Sequence, residues 1–378
     1  MKALVIGGAG ITGTVIVRQL LQRDYEVTIL HRGLHEPDLP EKVKRIHADP
    51  FSRDSLQSAL ADQFFDLVIA TYGRLKYIAE SLIGKTQRLI SVGGAAPIYK
   101  GWGEMTSINP WETTQPTPLY LAEDHPLATA EDVDKFSSAV RYTENAVMQM
   151  HQAGHFNVTH FRYPLVYGPN NICPAEWGII RRVRDNRKTL ILPGGGLTLV
   201  SRGFAENVAH GVMLAVDQPQ ASAGEIYNIC DNQVLYNLQW VKKLCDLMQH
   251  EFELIDVPFS FLPEGFRATP PQLLYRHHCV MDISKIKQQL GYQDIVSVDE
   301  ALERTVKWYS DNPLQPESES EQNLGDPFDY AYEDAFIEAY RSHATSLTAQ
   351  INALPSIKVV WRHPYQQTKE STGKGEKS

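Results

Sequence analysis

Three glycines three residues apart, Gly7, Gly10 and Gly13, stand where a short apolar run (Lys2-Ala3-Leu4-Val5-Ile6) gives way to Ile16, Val17, Leu20 and Leu21 at helical spacing. This arrangement suits phosphate chemistry. The first two glycines permit a tight turn and let the backbone approach a pyrophosphate, whose charge meets free N–H groups at the helix start. The third lets helix and strand pack closely. Binders of NAD usually carry Asp or Glu at the end of the second strand, about 20 residues on, to accept from the ribose 2′-hydroxyl. Here His31-Arg32-Gly33 stands there instead. A guanidinium cannot accept a hydrogen bond, but it grips a 2′-phosphate in fork geometry. The spacing therefore points to NADP(H), with NAD(H) as the alternative. Asp49, after the third strand, is a candidate adenine contact.

The elements that must position these groups alternate in the first 95 residues. Buried-strand patterns over 2–7, 26–31, 44–48, 66–71 and 88–93 are separated by helical patterns over 11–23, 52–60 (with Ser52 as N-cap) and 75–83. Short apolar strands alternating with helices pair in parallel, because each crossover helix covers a sheet face. The expected fold class is α/β, a Rossmann doubly wound parallel sheet, to which the family resemblance given below adds a smaller C-terminal substrate-binding domain. Periodicity lapses between Ala95 and Glu131, where five prolines fall among Gly, Thr and Trp, and a loop that long reads as a lid. Helices follow near 133–153, 176–187, 205–216, 238–250 and 299–311, with strands near 158–161, 190–192 and 226–229. The expected organisation is a dinucleotide-binding domain over 1–170 and a mainly substrate-binding domain over 171–312. An acidic linker over 313–326, a helical extension over 327–365 and a disordered tail over 366–378 complete it.

The chain has 378 residues with a net charge of −9, so a nucleic-acid partner would need a local basic patch. Arg181-Arg182-x-Arg184-x-x-Arg187-Lys188 is the one basic cluster. It reads as a solvated helix face, with a phosphate-bearing substrate or RNA as alternatives. No window approaches the roughly 20 apolar residues of a membrane span, and no signal segment precedes the first strand. The four cysteines have no metal-like spacing and read as free thiols in the cytoplasm. No metal is expected, and no histidine pair has a ligand spacing.

The sequence resembles the extended short-chain dehydrogenase/reductase family, also called the NAD-dependent epimerase/dehydratase family, over Lys2 to about Pro313. The resemblance rests on Ile6-Gly7-Gly8-Ala9-Gly10-Ile11-Thr12-Gly13, Arg162-Tyr163-Pro164-Leu165-Val166-Tyr167-Gly168-Pro169, Ile226-Tyr227-Asn228-Ile229, and Asp282-Ile283-Ser284-Lys285-Ile286 with Leu290-Gly291-Tyr292. It implies a cofactor site that includes Ile11, Thr12, Thr71, Tyr72 and Val166, with Tyr163 and Pro164 flanking the nicotinamide. It also implies a small-molecule substrate held by the second domain, and a homodimer is common in the family.

The family's chemistry needs a Tyr and a Lys four residues apart on one helix, the Lys lowering the Tyr pKa for proton exchange with substrate. Aligned on Glu144, those positions hold Phe136 and Val140, and the serine of the family's triad is absent from Ser91-Val92-Gly93-Gly94-Ala95. Tyr72, Tyr99, Tyr120 and His125 are the candidate replacement acids, with Tyr142 a further titratable group near the cleft. The expected activity is an atypical NADP(H)-dependent reduction of a carbonyl or polarised double bond, since the cofactor carries the difficult chemistry. A non-enzymatic dinucleotide- or RNA-binding protein, and a redox-neutral isomerase, dehydratase or epimerase, are the alternatives.

Overall fold

The computed structural model describes residues 1–33, 37–71, 73–94, 99–100, 117–127, 135–263 and 265–356, with backbone alone for 135–139. The first strands are β1 (Lys2–Ile6), β2 (Glu26–His31), β3 (Lys44–His47), β4 (Leu67–Ala70), β5 (Arg88–Gly94) and β6 (Asn157–Tyr163). Between them lie α1 (Ile11–Gln22), α2 (Arg53–Ala59), α3 (Leu75–Ser81) and α4 (Lys135–Gln152). Ser52 caps α2 as expected, its hydroxyl accepting from the Ser55 N–H.

Beyond β6 the chain forms β7 (Leu165–Tyr167), α5 (Trp177–Arg184), β8 (Thr189–Pro193), β9 (Leu199–Val200), β10 (Arg202–Phe204) and α6 (Ala205–Asp217). It then forms β11 (Glu225–Asn228), β12 (Leu235–Tyr236), α7 (Asn237–Leu247) and β13 (Glu253–Val257). The last elements are α8 (Ser284–Leu290), α9 (Val298–Asp311), α10 (Glu319–Gln322) and α11 (Tyr330–Asn352). The main sheet has seven strands in the order β11-β6-β5-β4-β1-β2-β3, every pair parallel. The order reverses between β1 and β4, and in such sheets the crevice outside the strand ends at that point takes the ligand.

Alternation along each strand feeds two cores. Ala3 and Val5 pack with Ile16 and Val17 of α1 and Val212 of α6. Leu4 and Ile6 face the other way, toward Leu56 of α2, Ile78 of α3 and Val147 of α4. A third core joins Tyr167, Trp177, Phe204, Trp240 and Tyr309 in a second lobe. There β10 runs parallel to β7, β13 parallel to β8, and β12 antiparallel to β9.

The chain divides into Met1–Glu333 and Asp334–Ser378, and α11 runs on into the second unit as far as Asn352. The segment 313–326, expected as an acidic linker, is a fastened strap. Glu321 and Asp326 are each 6% exposed. Arg182 on α5 bonds Asp326 at 2.6 Å and Glu333 at 2.5 Å, while Arg181 and the Trp177 indole N–H both donate to Glu321. The basic cluster is therefore not a solvated face at its centre. Composition counts charges without showing what they meet, and here the acidic run and the basic helix neutralise each other. The tail from residue 366 lies outside the described residues.

Candidate active site

The glycine bend is shaped by steric necessity. Gly7 has φ +88°, in the left-handed region, and a Cβ on Gly13 would stand 2.1 Å from the Gly7 carbonyl oxygen and 2.8 Å from the Gly8 Cα. Only glycine lets α1 approach β1 so closely. The N-terminus of α1 has no side-chain cap from Gly10 and no acidic residue in its first turn. Its N–H groups are thus left to an external acceptor, and its partial positive charge is not offset locally.

Around this bend the strand ends bring together most of the expected cofactor residues. The Thr71 N–H donates to the Ile6 carbonyl at 2.9 Å, and its hydroxyl lies 3.4 Å from the carbonyls of Ile6 and Gly7. His31, at the end of β2, is buried; its Nδ1 accepts from the Gly33 N–H at 3.3 Å and its ring meets His47 edge-on. Arg32 follows at the exposed edge. The Asp49 carboxylate takes the Phe51 N–H at 3.0 Å, closing the turn after β3. Tyr163 pairs in register with Gly94 and is 8% exposed. Its hydroxyl stands beside Thr12 without a hydrogen-bond partner, and burial pushes its pKa up. Pro164 and Val166, partly buried, continue from it toward the second lobe. An uncapped helix start, a bend that only glycine can form and a buried phenol beside Thr12 together fit a dinucleotide.

The acid–base positions behave differently. Phe136 falls on α4, but its side chain lies outside the described residues, as do Tyr72, Trp102 and Trp111. Val140 is packed against the core, its Cγ1 3.9 Å from where a Cβ on Gly93 would stand. A methyl group thus faces the strand end from the position at which the resemblance leads one to expect the Lys. Ser91 is wholly buried and 2.8 Å from His160 Nδ1. The candidate Tyr99 lies in the core. It is 0% exposed, donates to Asn228 at 2.6 Å and accepts from Arg162 at 2.8 Å, and burial lifts its pKa to about 12. A phenol so bonded is a strut. Tyr120 is 65% exposed, and His125 is partly buried against the Tyr99 ring. Tyr142, also exposed, takes a hydrogen bond from Lys76 of α3.

What the sequence reading missed is a buried network under the strand ends. Arg162 forks onto Glu144 with both contacts at 2.8 Å, and Glu144 lies 3.3 Å from His160 Nε2. Burial alone would raise the Glu144 pKa, but the hydrogen bonds from Arg162 and His160 prevail and hold it down at about 2. Arg162 also reaches the Glu123 carbonyl, and the Asn228 N–H donates to the Glu123 carboxylate at 2.8 Å. These bonds tie α4, β6, β11 and the described part of the 95–131 segment into one block. A signal was present: His160 and Arg162 stand in a buried strand, and a buried cation needs a partner.

A model of the NAD dependent epimerase/dehydratase family matches residues 3–89 and 111–230, more than half of the chain. The chain belongs to this family of NAD-dependent enzymes. Among curated relatives, the sterol-4-alpha-carboxylate 3-dehydrogenase, decarboxylating, of Bos taurus is 23% identical, the match covering 81% of this chain and 92% of the relative. The chloroplast stem-loop binding protein of 41 kDa b of Arabidopsis thaliana is also 23% identical, over 60% of this chain and 58% of that protein. Among solved structures, a UDP-glucose 4-epimerase of Thermotoga maritima with UDP-glucose superposes at a TM-score of 0.66 and 17% identity, covering 82% of this chain and 99% of its own. Each of these matches leaves part of this chain uncovered. No described helix is long and apolar enough to cross a membrane.

Proposed function

We propose that the chain is an NADP(H)-dependent oxidoreductase that reduces a carbonyl or polarised double bond in a small organic substrate without the family's Tyr–Lys pair. The observation that carries this reading is the cofactor cradle: a glycine bend only glycine can form, an uncapped α1, and Arg32 where an acid would serve NAD. The bound nicotinamide supplies the hydride. The chain's own contribution is positioning, in which Tyr163 closes on the bend and the Arg162–Glu144 block fixes the strand ends around it. Proton delivery falls to water, to the substrate or to Tyr72. Losing one general acid costs about 10²–10⁴-fold in rate, which a slow biosynthetic step tolerates. The test is a fluorescence titration. NADPH binds more tightly than NADH, and Arg32→Ala removes most of the difference; equal affinities in the wild type overturn the NADP(H) assignment.

A second reading is redox-neutral chemistry on a retained cofactor, favoured by the overlay of this fold on a sugar epimerase over nearly that protein's full length. Cofactor that co-purifies and leaves turnover in its original redox state supports it over the first. The stem-loop binding relative raises RNA as a ligand. Against it stands the occupation of Arg181 and Arg182 by Glu321, Asp326 and Glu333.

A further inference from the structure

The C-terminal half of α11 is exposed around its circumference. From Arg341 to Asn352 every residue except the half-buried Ala344 is open to solvent. Helices in proteins owe most of their stability to an apolar face packed on something, because propensity alone is marginal over so short a length. An apolar face is present. Ile337, Tyr340, Ala344, Leu347, Ile351 and Leu354 follow one another at spacings of three and four and so share one side of the helix. Helical bonding runs just past Asn352, the Ala353 and Leu354 N–H groups donating to the carbonyls of Ala349 and Ile351, before Pro355. Ile337 is 4% exposed, but Leu347, Ile351 and Leu354 rise to 42%, 55% and 66%. The remaining sides carry Ser, Thr, Gln and Asn. Residues 342–357 hold no Asp, Glu, Lys or Arg, in a chain that is 21% charged. The charge comes next. Lys358, Arg362, Lys369, Lys374 and Lys377 are set against only Glu370 and Glu376, whereas the chain as a whole carries −9. The same stretch holds Val359, Val360 and Trp361.

We propose that α11 from Ala344 onward, with the basic segment that follows it, is a peripheral anchor that lies on an anionic lipid surface. Leu347, Ile351 and Leu354 enter the boundary between headgroups and acyl chains. The Ser and Thr hydroxyls stay at headgroup level, and the Lys and Arg residues beyond meet lipid phosphates. Both parts are needed, since a small apolar insertion or a few cations alone hold only weakly. A second copy of the chain is the poorer occupant. Three aliphatic side chains fall short of the roughly 1,000 Å² that a specific protein interface buries. A coiled-coil seam also needs at least about three heptads with charged flanks to set its register, and these flanks are neutral. A lipid surface requires no register. Attachment is along the surface and not across it, as no described helix is long and apolar enough to span. This face lies beyond residues 3–89 and 111–230, matched by the family model, and does not depend on which coenzyme binds.

The experiment sediments the full chain with sucrose-loaded vesicles of phosphatidylcholine alone or of phosphatidylcholine with about 30% phosphatidylglycerol. The wild type partitions onto the anionic vesicles at least tenfold more strongly than onto the neutral ones, and added salt weakens it. A variant combining Leu347→Ser, Ile351→Ser and Leu354→Ser binds the anionic vesicles at least tenfold more weakly, whereas Ile351→Phe binds as the wild type does. Because the three side chains are exposed, the triple variant melts where the wild type melts, and the two have the same mass by sedimentation equilibrium. Failure of the wild type to bind anionic vesicles overturns the anchor, as does equal binding to neutral ones. So does a triple variant that binds undiminished or melts far lower. A wild-type dimer that the triple variant converts to monomer overturns it as well, and assigns the face to a second copy of the chain.

Discussion

Two buried glutamates behave in opposite ways, and their surroundings say why. Glu144, forked by Arg162, contributes stability that is present above its ordinary pKa of 4.5 and is lost as pH falls toward about 2. Removing it strands Arg162 in the core, so Glu144→Ala costs about 3–5 kcal/mol at neutral pH, measured by denaturant unfolding. Glu176 has no such partner among the described residues, and burial lifts its pKa to about 7. The native state then holds a proton that the unfolded chain releases near 4.5. Stability is complete below that value, falls as pH rises to about 7, and stays lost above. The swing is about 3 kcal/mol at 1.36 kcal/mol per unit. Glu176→Gln removes this slope, so its melting temperature gains on the wild type from pH 5 to pH 8; parallel pH profiles for the two proteins would show that Glu176 does not titrate there. At this scale the sequence was legible where a residue type has one job, as in Gly7 and Gly13. It was silent on Glu176, because nothing in a sequence says that a carboxyl will be left without a partner.

The elements were read more completely than the residues. The seven strands of the main sheet came out within a residue or two, because period-2 and period-3.6 patterns on a two-sided sheet are strongly written, whereas the short strands β7, β9, β10, β12 and β13 were not read. The order of strands around β1 and β4 follows from right-handed crossovers. What escaped was the segment from 95 to 131, whose described part is held by Asn228, Arg162 and a bridge between Leu121 and Met281. Those anchors lie more than 30 residues away in the chain, beyond the reach of local pattern. α4 carries the sharpest test at this scale. Val140 packs the strand end at Gly93, and with Phe136 at the position expected for the Tyr, Phe136→Leu leaves turnover largely intact in a steady-state assay. A collapse of turnover in a variant that melts normally would place Phe136 in the chemistry.

At the scale of the whole molecule, a strap over 313–326 locks onto α5. Its acidic composition read as a linker, because free acidic runs and paired ones look alike until the cation is located. Arg182 at 0% side-chain exposure between Asp326 and Glu333 has no water to fall back on. Asp326→Ala therefore costs about 3–5 kcal/mol in calorimetric unfolding, whereas Glu319→Ala, on the exposed side of α10, stays within about 0.5 kcal/mol. Equal effects from the two variants would show that the strap is not fastened as described. The proposed dinucleotide cradle at the glycine bend is the foundation of the functional account. Isothermal calorimetry of the full chain with NADPH and NADH tests it most directly. Saturable heat with at least one coenzyme, abolished by Gly13→Val, is the result the cradle requires; flat titrations of folded wild-type protein with both would contradict it.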